Sequence, residues 1–185
     1  MMSKIQNPES LRFSDVDSGA ACLHRISLRV NGKLHEISVA SHWTLQQVLR
    51  DVLGFTSVKD MCLGHGACGS CTVLLDGKPV LSCLTLALDC DGKNVETAEG
   101  IEVRHPLVEA FIKLHAFQCG YCTPGFVVTA KALLDRKKDL TVEDVVEALS
   151  GNICRCGTYP VVVNAVLEVA EKLRKPGVGG EVGSP

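Results

Sequence analysis

Gln118-Cys119-Gly120-Tyr121-Cys122-Thr123-Pro124-Gly125 and, further along, Cys154-Arg155-Cys156 are the stretches around which the rest of the chain is arranged. A C-x2-C pair and a C-x-C pair can offer four thiolates to one buried inorganic centre, provided that the chain between them doubles back. The intervening sequence has that capacity. TPGFVVTAKALLDR, residues 123–136, and VEDVVEAL, residues 142–149, place apolar side chains at helical spacing, with Thr141 as N-cap and Gly151 as a stop. Two helices joined by the polar turn Lys137-Lys138-Asp139 would return the second cysteine pair to the first.

Working outward, 185 residues suit two small domains, each with a modest core. Apolar residues make up 46% of the chain and aromatic ones only 4%, so those cores are built mainly from Val, Leu and Ala and gain from an added staple. The ten cysteines suggest what the staple is. The N-terminal stretch MMSKIQNPESLRFSDVDSGAACLHR has neither an apolar signal region nor a twin arginine, and no run of eighteen apolar residues occurs anywhere. The expectation is therefore a cytoplasmic chain without a membrane span, in which cysteines ligate metal in preference to forming disulfides. A net charge of −2 and the lack of a basic stripe or aromatic platform exclude nucleic acid as a partner. Residues 1–22, polar and without period, are expected to form a flexible arm, and the Gly/Pro-rich residues 176–185 a disordered tail.

Upstream of the organising stretch, HRISLRV and KLHEISVA flank Asn31-Gly32, the strongest short-range signal for a hairpin. Thr44 opens TLQQVLRDVL, with Leu45, Val48, Leu49 and Val52 on one helical stripe, Gly54 as its end and Trp43 packed at its entry. After the loop FTSVKDMCLGHGACGSC come two short strands, TVLLD and PVLSC, around Asp76-Gly77, and a last one near NVETAE. Strand, strand, helix and further strands describe a small β-grasp arrangement. From Gly100 the character turns helical, with HPLVEAFIKLHAF, the two helices already named, and PVVVNAVLEVAEKLR making four helices with short connections. The fold class is α+β, with the boundary near residues 98–104.

The glycine-rich loop holds a second set of cysteines: Cys62, Cys68, Cys71 and, after eleven intervening residues, Cys83. Plant-type [2Fe–2S] ferredoxins space theirs C-x4-C-x2-C with a distant fourth. Here the second interval fits and the first is one residue too long. Gly64, Gly66 and Gly69 suit backbone that wraps closely around sulfide with positive φ and N–H groups aimed inward. In the other set, the helix start after Cys122 favours thiolate, and Pro124-Gly125 fits a first turn packed tightly against a neighbour. Zinc is the rival occupant of either set. His65 stands C-x2-H from Cys62 without a second histidine at matching spacing and reads as a solvent-side loop residue; Cys22 and Cys90 have no spacing partner.

GACGSCTVLLDGKPVLSC, ETAEG, QCGYCTPGFVV and GNICRCGTY together resemble the small iron–sulfur subunit of the xanthine dehydrogenase or molybdenum hydroxylase family, over about residues 24–173. The resemblance implies a plant-type ferredoxin-like β-grasp domain (residues 23–100) followed by a four-helix domain (residues 101–175), each with one [2Fe–2S] cluster. Cys119, Cys122, Cys154 and Cys156 would bind the cluster nearest the molybdenum, and Cys62, Cys68, Cys71 and Cys83 the one nearer the acceptor. Gln118 and Cys156 would lie beside the molybdopterin of a large partner subunit. Electrons would leave through a medium FAD-binding subunit or another acceptor, in a hetero-oligomer whose small chain has no acid, base or nucleophile of its own. Two departures matter. The family's GCGxGxCGAC places a cysteine where this chain has Leu63, and Gly157-Thr158-Tyr159 stands where Thr-Gly-Tyr is common. Similar ordering in members that pass electrons to cytochromes means that a flavin subunit is not assumed. The alternative reading is a stand-alone iron–sulfur or zinc module with a regulatory or adaptor role.

Overall fold

The computed structural model describes residues 23–174, so the arm expected over 1–22 and the tail expected over 176–185 lie outside the described residues. The first hairpin pairs β1 (Leu23–Val30) with β2 (Lys33–Ala40) antiparallel, Ile26 opposite Ile37 and Leu28 opposite His35. Its two-residue turn needs left-handed backbone at both positions, and Asn31 and Gly32 supply it with φ of 49° and 82°. Ile26, Leu28 and Val30 alternate into the core as a strand with one wet face requires, whereas Leu34 points outward and is 54% exposed. His35 occupies the inward slot that Leu34 leaves and stands edge-on to Phe55, its ring centroid 6.3 Å away.

β3 (Thr72–Leu75) and β4 (Lys78–Leu81) form the second hairpin around Asp76-Gly77, again with positive φ at both turn residues. β5 (Asn94–Glu96) lies between the hairpins, parallel to β1 and antiparallel to β3, which gives the sheet order β2-β1-β5-β3-β4. Two cores meet at β3. Val73 faces the first, with Leu28, Val30, Leu45, Leu49 and Val95, while Leu74 faces the second, with Phe111, Phe126, Leu134, Val145 and Val166. Period-two side-chain geometry thus lets one short strand serve both halves of the molecule.

The helix on the first core departs from the expected stripe. After α1 (Leu45–Gln47), capped by the Thr44 hydroxyl and the reciprocal Gln47 side chain, the chain widens into a π turn over Val48–Val52. The Leu53 N–H reaches back five residues to the Val48 carbonyl, and the wider turn rotates Val52 off the buried face, where it is 38% exposed. Trp43 packs against this core at the helix entry, half-buried.

The helical half consists of α2 (Pro106–Lys113), α3 (Thr123–Arg136), α4 (Val142–Leu149) and α5 (Tyr159–Arg174). α2 is shorter than the apolar run that encodes it. His115 adopts φ 51° and the Ala116 N–H returns to the Phe111 carbonyl, a Schellman stop that leaves Phe117 outside the helix. α4 begins as its sequence indicates: the Thr141 hydroxyl accepts the Asp144 N–H at 3.2 Å and the Asp144 carboxylate accepts the Thr141 N–H at 2.8 Å. Fully buried Phe126 and Leu134 on α3 meet Val145 on α4 and Val162 and Val166 on α5. At about 1.5–3 kcal/mol for each large buried side chain, this packing is what brings the ends of α3 and α5 together. No helix among the described residues is long and apolar enough to cross a membrane.

Candidate metal centres

The loop from Cys62 to Cys71 turns inward by a succession of left-handed residues, Leu63, Gly64, Gly66 and Gly69, with φ of 53°, 79°, 70° and 68°. The first two accommodate the extra residue between Cys62 and Cys68. Left-handed backbone at Leu63 and Gly64 bulges the chain, leaves Leu63 78% exposed and turns the half-buried Cys62 thiol onto that of Cys68. Cys71 and Cys83 are buried as a second contacting pair, and the charge of Cys62 is felt at Cys83. The loop passes beneath the Leu84 side chain at Gly66, whose left-handed backbone favours glycine.

Electrostatics differ within this set. Burial pushes the Cys62 thiol up, but the Cys68 thiol and the N–H groups of Ala67, Cys68 and His65 outweigh it and hold the group at about 7. Cys83 goes the other way, to about 12, through burial first and then its neighbour Cys71, although the Gly66 N–H points at its sulfur. The exposed His65 ring does not turn to the thiols. Its Nδ1 lies 2.6 Å from the Cys62 carbonyl oxygen, an acceptor only, so that nitrogen carries the proton.

The second set assembles from two loops. Cys122 caps α3, and Cys154 lies between α4 and α5; both are buried and their thiols are in contact. The α3 N-terminus, expected to favour thiolate at Cys122, is opposed there by burial. Burial, followed by the Cys154 thiol and its charge, drives Cys122 to about 12, and the nearby backbone N–H only partly offsets this. Cys154 shifts the other way. There burial is outweighed by the Thr158 hydroxyl and N–H, the Cys122 thiol and the Cys156 N–H, which hold it at about 7. Cys119 is exposed and Cys156 half-buried; the charge of Cys119 reaches Cys122. Gln118 is exposed beside Cys119.

Three contributors to this second set lie in the GNICRCGTY run, which does not disclose their roles. The Thr158 hydroxyl lies 3.2 Å from the Cys154 sulfur, and the Tyr159 hydroxyl accepts the Cys154 N–H at 2.7 Å while its ring stands edge-on to Phe126. Gly157 (φ 82°) makes the turn that delivers both, a use for the Gly-Thr-Tyr order. The third is Asn152, whose side-chain amide donates to the Gly69 carbonyl at 3.1 Å, across to the first loop. Beside it, the Ile153 N–H donates to the Cys68 carbonyl at 2.9 Å. Gly125 packs in the same seam, where a Cβ would strike the Gly69 carbonyl oxygen, and this is the close neighbour that Pro124-Gly125 implied.

The donor chemistry fits iron–sulfur centres better than zinc. Six of the eight thiols meet in three pairs, Cys62 with Cys68, Cys71 with Cys83 and Cys122 with Cys154. A binuclear iron centre completed by two bridging sulfides takes two thiolates per iron, whereas structural zinc takes four donors at one point. The nine described cysteines are all free thiols.

Comparison with known proteins agrees with this chemistry. Residues 28–100 match the model of a 2Fe–2S iron–sulfur cluster binding domain and residues 97–167 that of a [2Fe–2S] binding domain. The chain is 46% identical over 145 residues to the nicotine 6-hydroxylase small subunit of Paenarthrobacter nicotinovorans, covering 77% of this chain and 87% of that one. It is 43% identical over 150 residues to the nicotinate dehydrogenase small FeS subunit of Eubacterium barkeri, covering 80% and 95%. Among solved structures, quinoline 2-oxidoreductase from Pseudomonas putida 86 superposes with a TM-score of 0.77 at 40% identity, over 84% of this chain and 99% of the matched one. Aldehyde oxidoreductase from Desulfovibrio gigas matches with a TM-score of 0.77 at 39% identity, over 83% of this chain but only 18% of that longer one. The protein is an electron-transferring iron–sulfur subunit with two [2Fe–2S] sites, and it belongs to the small-subunit family of the molybdenum hydroxylases.

Proposed function

We propose that Cys62, Cys68, Cys71 and Cys83 bind one [2Fe–2S] cluster and Cys119, Cys122, Cys154 and Cys156 the other, and that the chain relays electrons between an external acceptor and a molybdopterin site in a large partner subunit. The observation that carries this reading is the direct hydrogen bonding of the two cysteine loops, Ile153 N–H to Cys68 carbonyl and Asn152 amide to Gly69 carbonyl. Two thiol sets joined in this way belong to one relay and not to two independent sites. When bound, the clusters supply one-electron storage. The chain supplies the thiolates, the N–H groups that neutralise their charge, and the apolar burial that keeps water away.

Within this reading the chain divides near residue 100 into a β-grasp, ferredoxin-like domain and a four-helix domain. The exposed Gln118 and Cys119 and the half-buried Cys156 form the side that meets the molybdopterin, where an amide and a cluster ligand can hydrogen-bond the pterin. A medium FAD-binding subunit is one acceptor and a cytochrome another, and the complex works in the cytoplasm. No acid, base or nucleophile of this chain takes part in the substrate reaction. Anaerobic purification of the chain co-expressed with the large subunit from the same source tests the partner. The expected result is a brown complex that co-elutes as one species and holds about four irons per small subunit. A colourless zinc protein, or a small chain that never associates, would overturn the proposal.

A further inference from the structure

In the first loop, three successive carbonyls are committed to partners outside it. The Cys68 carbonyl accepts the Ile153 N–H at 2.9 Å and the Ser70 carbonyl accepts the Lys59 N–H at 3.1 Å. Between them, the Gly69 carbonyl accepts three donors: the Thr72 N–H at 3.2 Å, the Thr72 hydroxyl at 2.7 Å and the Asn152 side-chain amide at 3.1 Å. All peptide bonds of the described residues are trans. In a trans peptide, C=O and N–H point in opposite directions, so pinning a carbonyl aims the following N–H the other way.

The N–H groups of His65, Ala67 and Cys68 already reach the Cys62 sulfur, and that of Gly66 reaches Cys83. The Cys68 and Gly69 carbonyls are drawn toward Ile153 and Asn152, which turns the Gly69 and Ser70 N–H groups away from the helical half. Asn152 is built for the task. It is 5% exposed, its own N–H is tied to the Leu149 carbonyl at the end of α4 at 2.9 Å, and its amide fills the gap between Gly69 and Gly125. A Cβ on Gly69 would come within 2.6 Å of the Asn152 amide nitrogen, so a larger residue at either side of the contact would displace it.

We propose that Asn152 is a positioning residue for the centre in the opposite half: by holding the Gly69 carbonyl outward it aims the Ser70 N–H at the sulfurs of the Cys62, Cys68, Cys71 and Cys83 centre and raises that centre's reduction potential. N–H groups pointed at sulfur stabilise the more negative, reduced state more than the oxidised one. Loss of the Asn152 donor leaves the Gly69 carbonyl held by Thr72 alone, so that the Gly69–Ser70 peptide tilts, its N–H turns from the sulfurs and the centre becomes harder to reduce. A residue two positions before Cys154 thereby sets the driving force between the two centres. The inference rests on the ligand sets proposed above.

The test is a redox titration of the purified complex followed by electron paramagnetic resonance, with each signal first assigned through Cys71→Ser and Cys122→Ser. Asn152→Ala is expected to keep both signals and to shift only the one lost in Cys71→Ser to more negative potential, by about tenfold in its reduction equilibrium, ~59 mV for one electron. Asn152→Leu, which retains the bulk against Gly125 without a donor, is expected to do the same and serves if the alanine variant does not fold. An unchanged potential in whichever variant folds, or equal movement of both signals, would overturn the inference and reduce Asn152 to a packing contact. If Cys71→Ser removes neither signal, it is the ligand assignment that fails.

Discussion

The two cysteine sets reach similar ends by different means. In the sheet half, Cys62, Cys68 and Cys71 lie on one continuous loop, shaped residue by residue through left-handed backbone at Leu63, Gly64, Gly66 and Gly69. In the helical half, Cys122 and Cys154 stand on separate connections, and they meet only because α3, α4 and α5 pack around Phe126, Val145 and Val166. The first is a site of local conformation and the second a site of tertiary packing. In both, burial and a contacting thiol push one cysteine to about 12, Cys83 beside Cys71 and Cys122 beside Cys154, while hydrogen bonds hold Cys62 and Cys154 at about 7.

The largest expected effect probes the local site. Cys62→Ser should lower the iron content from about four to about two per chain. The double variant Cys62→Gly/Leu63→Cys, which restores the shorter spacing where the bulge now lies, should recover it. An iron count unchanged in Cys62→Ser would show that the bulge does not deliver a ligand. Next in size is a cut into the packed site. Phe126→Ala empties the centre of the helical core at a cost of about 3–5 kcal/mol and is expected to release the iron of the second set while the first set's signal persists. Simultaneous loss of both would show that the sheet half leans on the helices far more than its own core implies.

A smaller effect comes from the α4 cap. Thr141→Ala should cost about 1 kcal/mol and lower the thermal midpoint of the chain without altering either signal, as read by circular dichroism and resonance together. The smallest is acid sensitivity. Lys137 and the Thr141 N–H hold Asp144 down to about 2, and Lys113 and Lys172 do the same for Glu168. Because both values are depressed on folding, their contribution is fully present above the ordinary carboxylate value of about 4 and is lost as pH falls toward 2. Far-ultraviolet dichroism should therefore show helix loss over that window, flattened in Asp144→Asn/Glu168→Gln. An identical acid profile in the double variant would contradict the assignment.

What the sequence disclosed follows the same division. Both hairpin turns and the bounds of α3 and α4 were legible, because Asn31-Gly32, Asp76-Gly77 and the Thr141 cap act through their immediate neighbours. Val52 and Phe117 were misplaced because a π turn and a Schellman stop interrupt runs whose apolar pattern continues. The close neighbour of Gly125 could be inferred but not named, since it lies on the other loop. Asn152, Thr158 and Tyr159 belong to the GNICRCGTY run that carries the resemblance, but their roles stay hidden in it, as they arise only when chain segments distant in sequence or turned back on themselves come within hydrogen-bond reach. The spacing anomaly at Cys62 was visible, but its resolution required the φ of Leu63, a residue whose type gives no hint of left-handed backbone.

Electron paramagnetic resonance of the reduced, anaerobically prepared protein, with iron and sulfide analysis on the same sample, tests the two-centre account most directly. Two distinguishable signals, about four irons per chain, and the loss of a different signal in each of Cys71→Ser and Cys122→Ser are the predicted result. Iron-free protein, or a single signal abolished by either substitution, would contradict it.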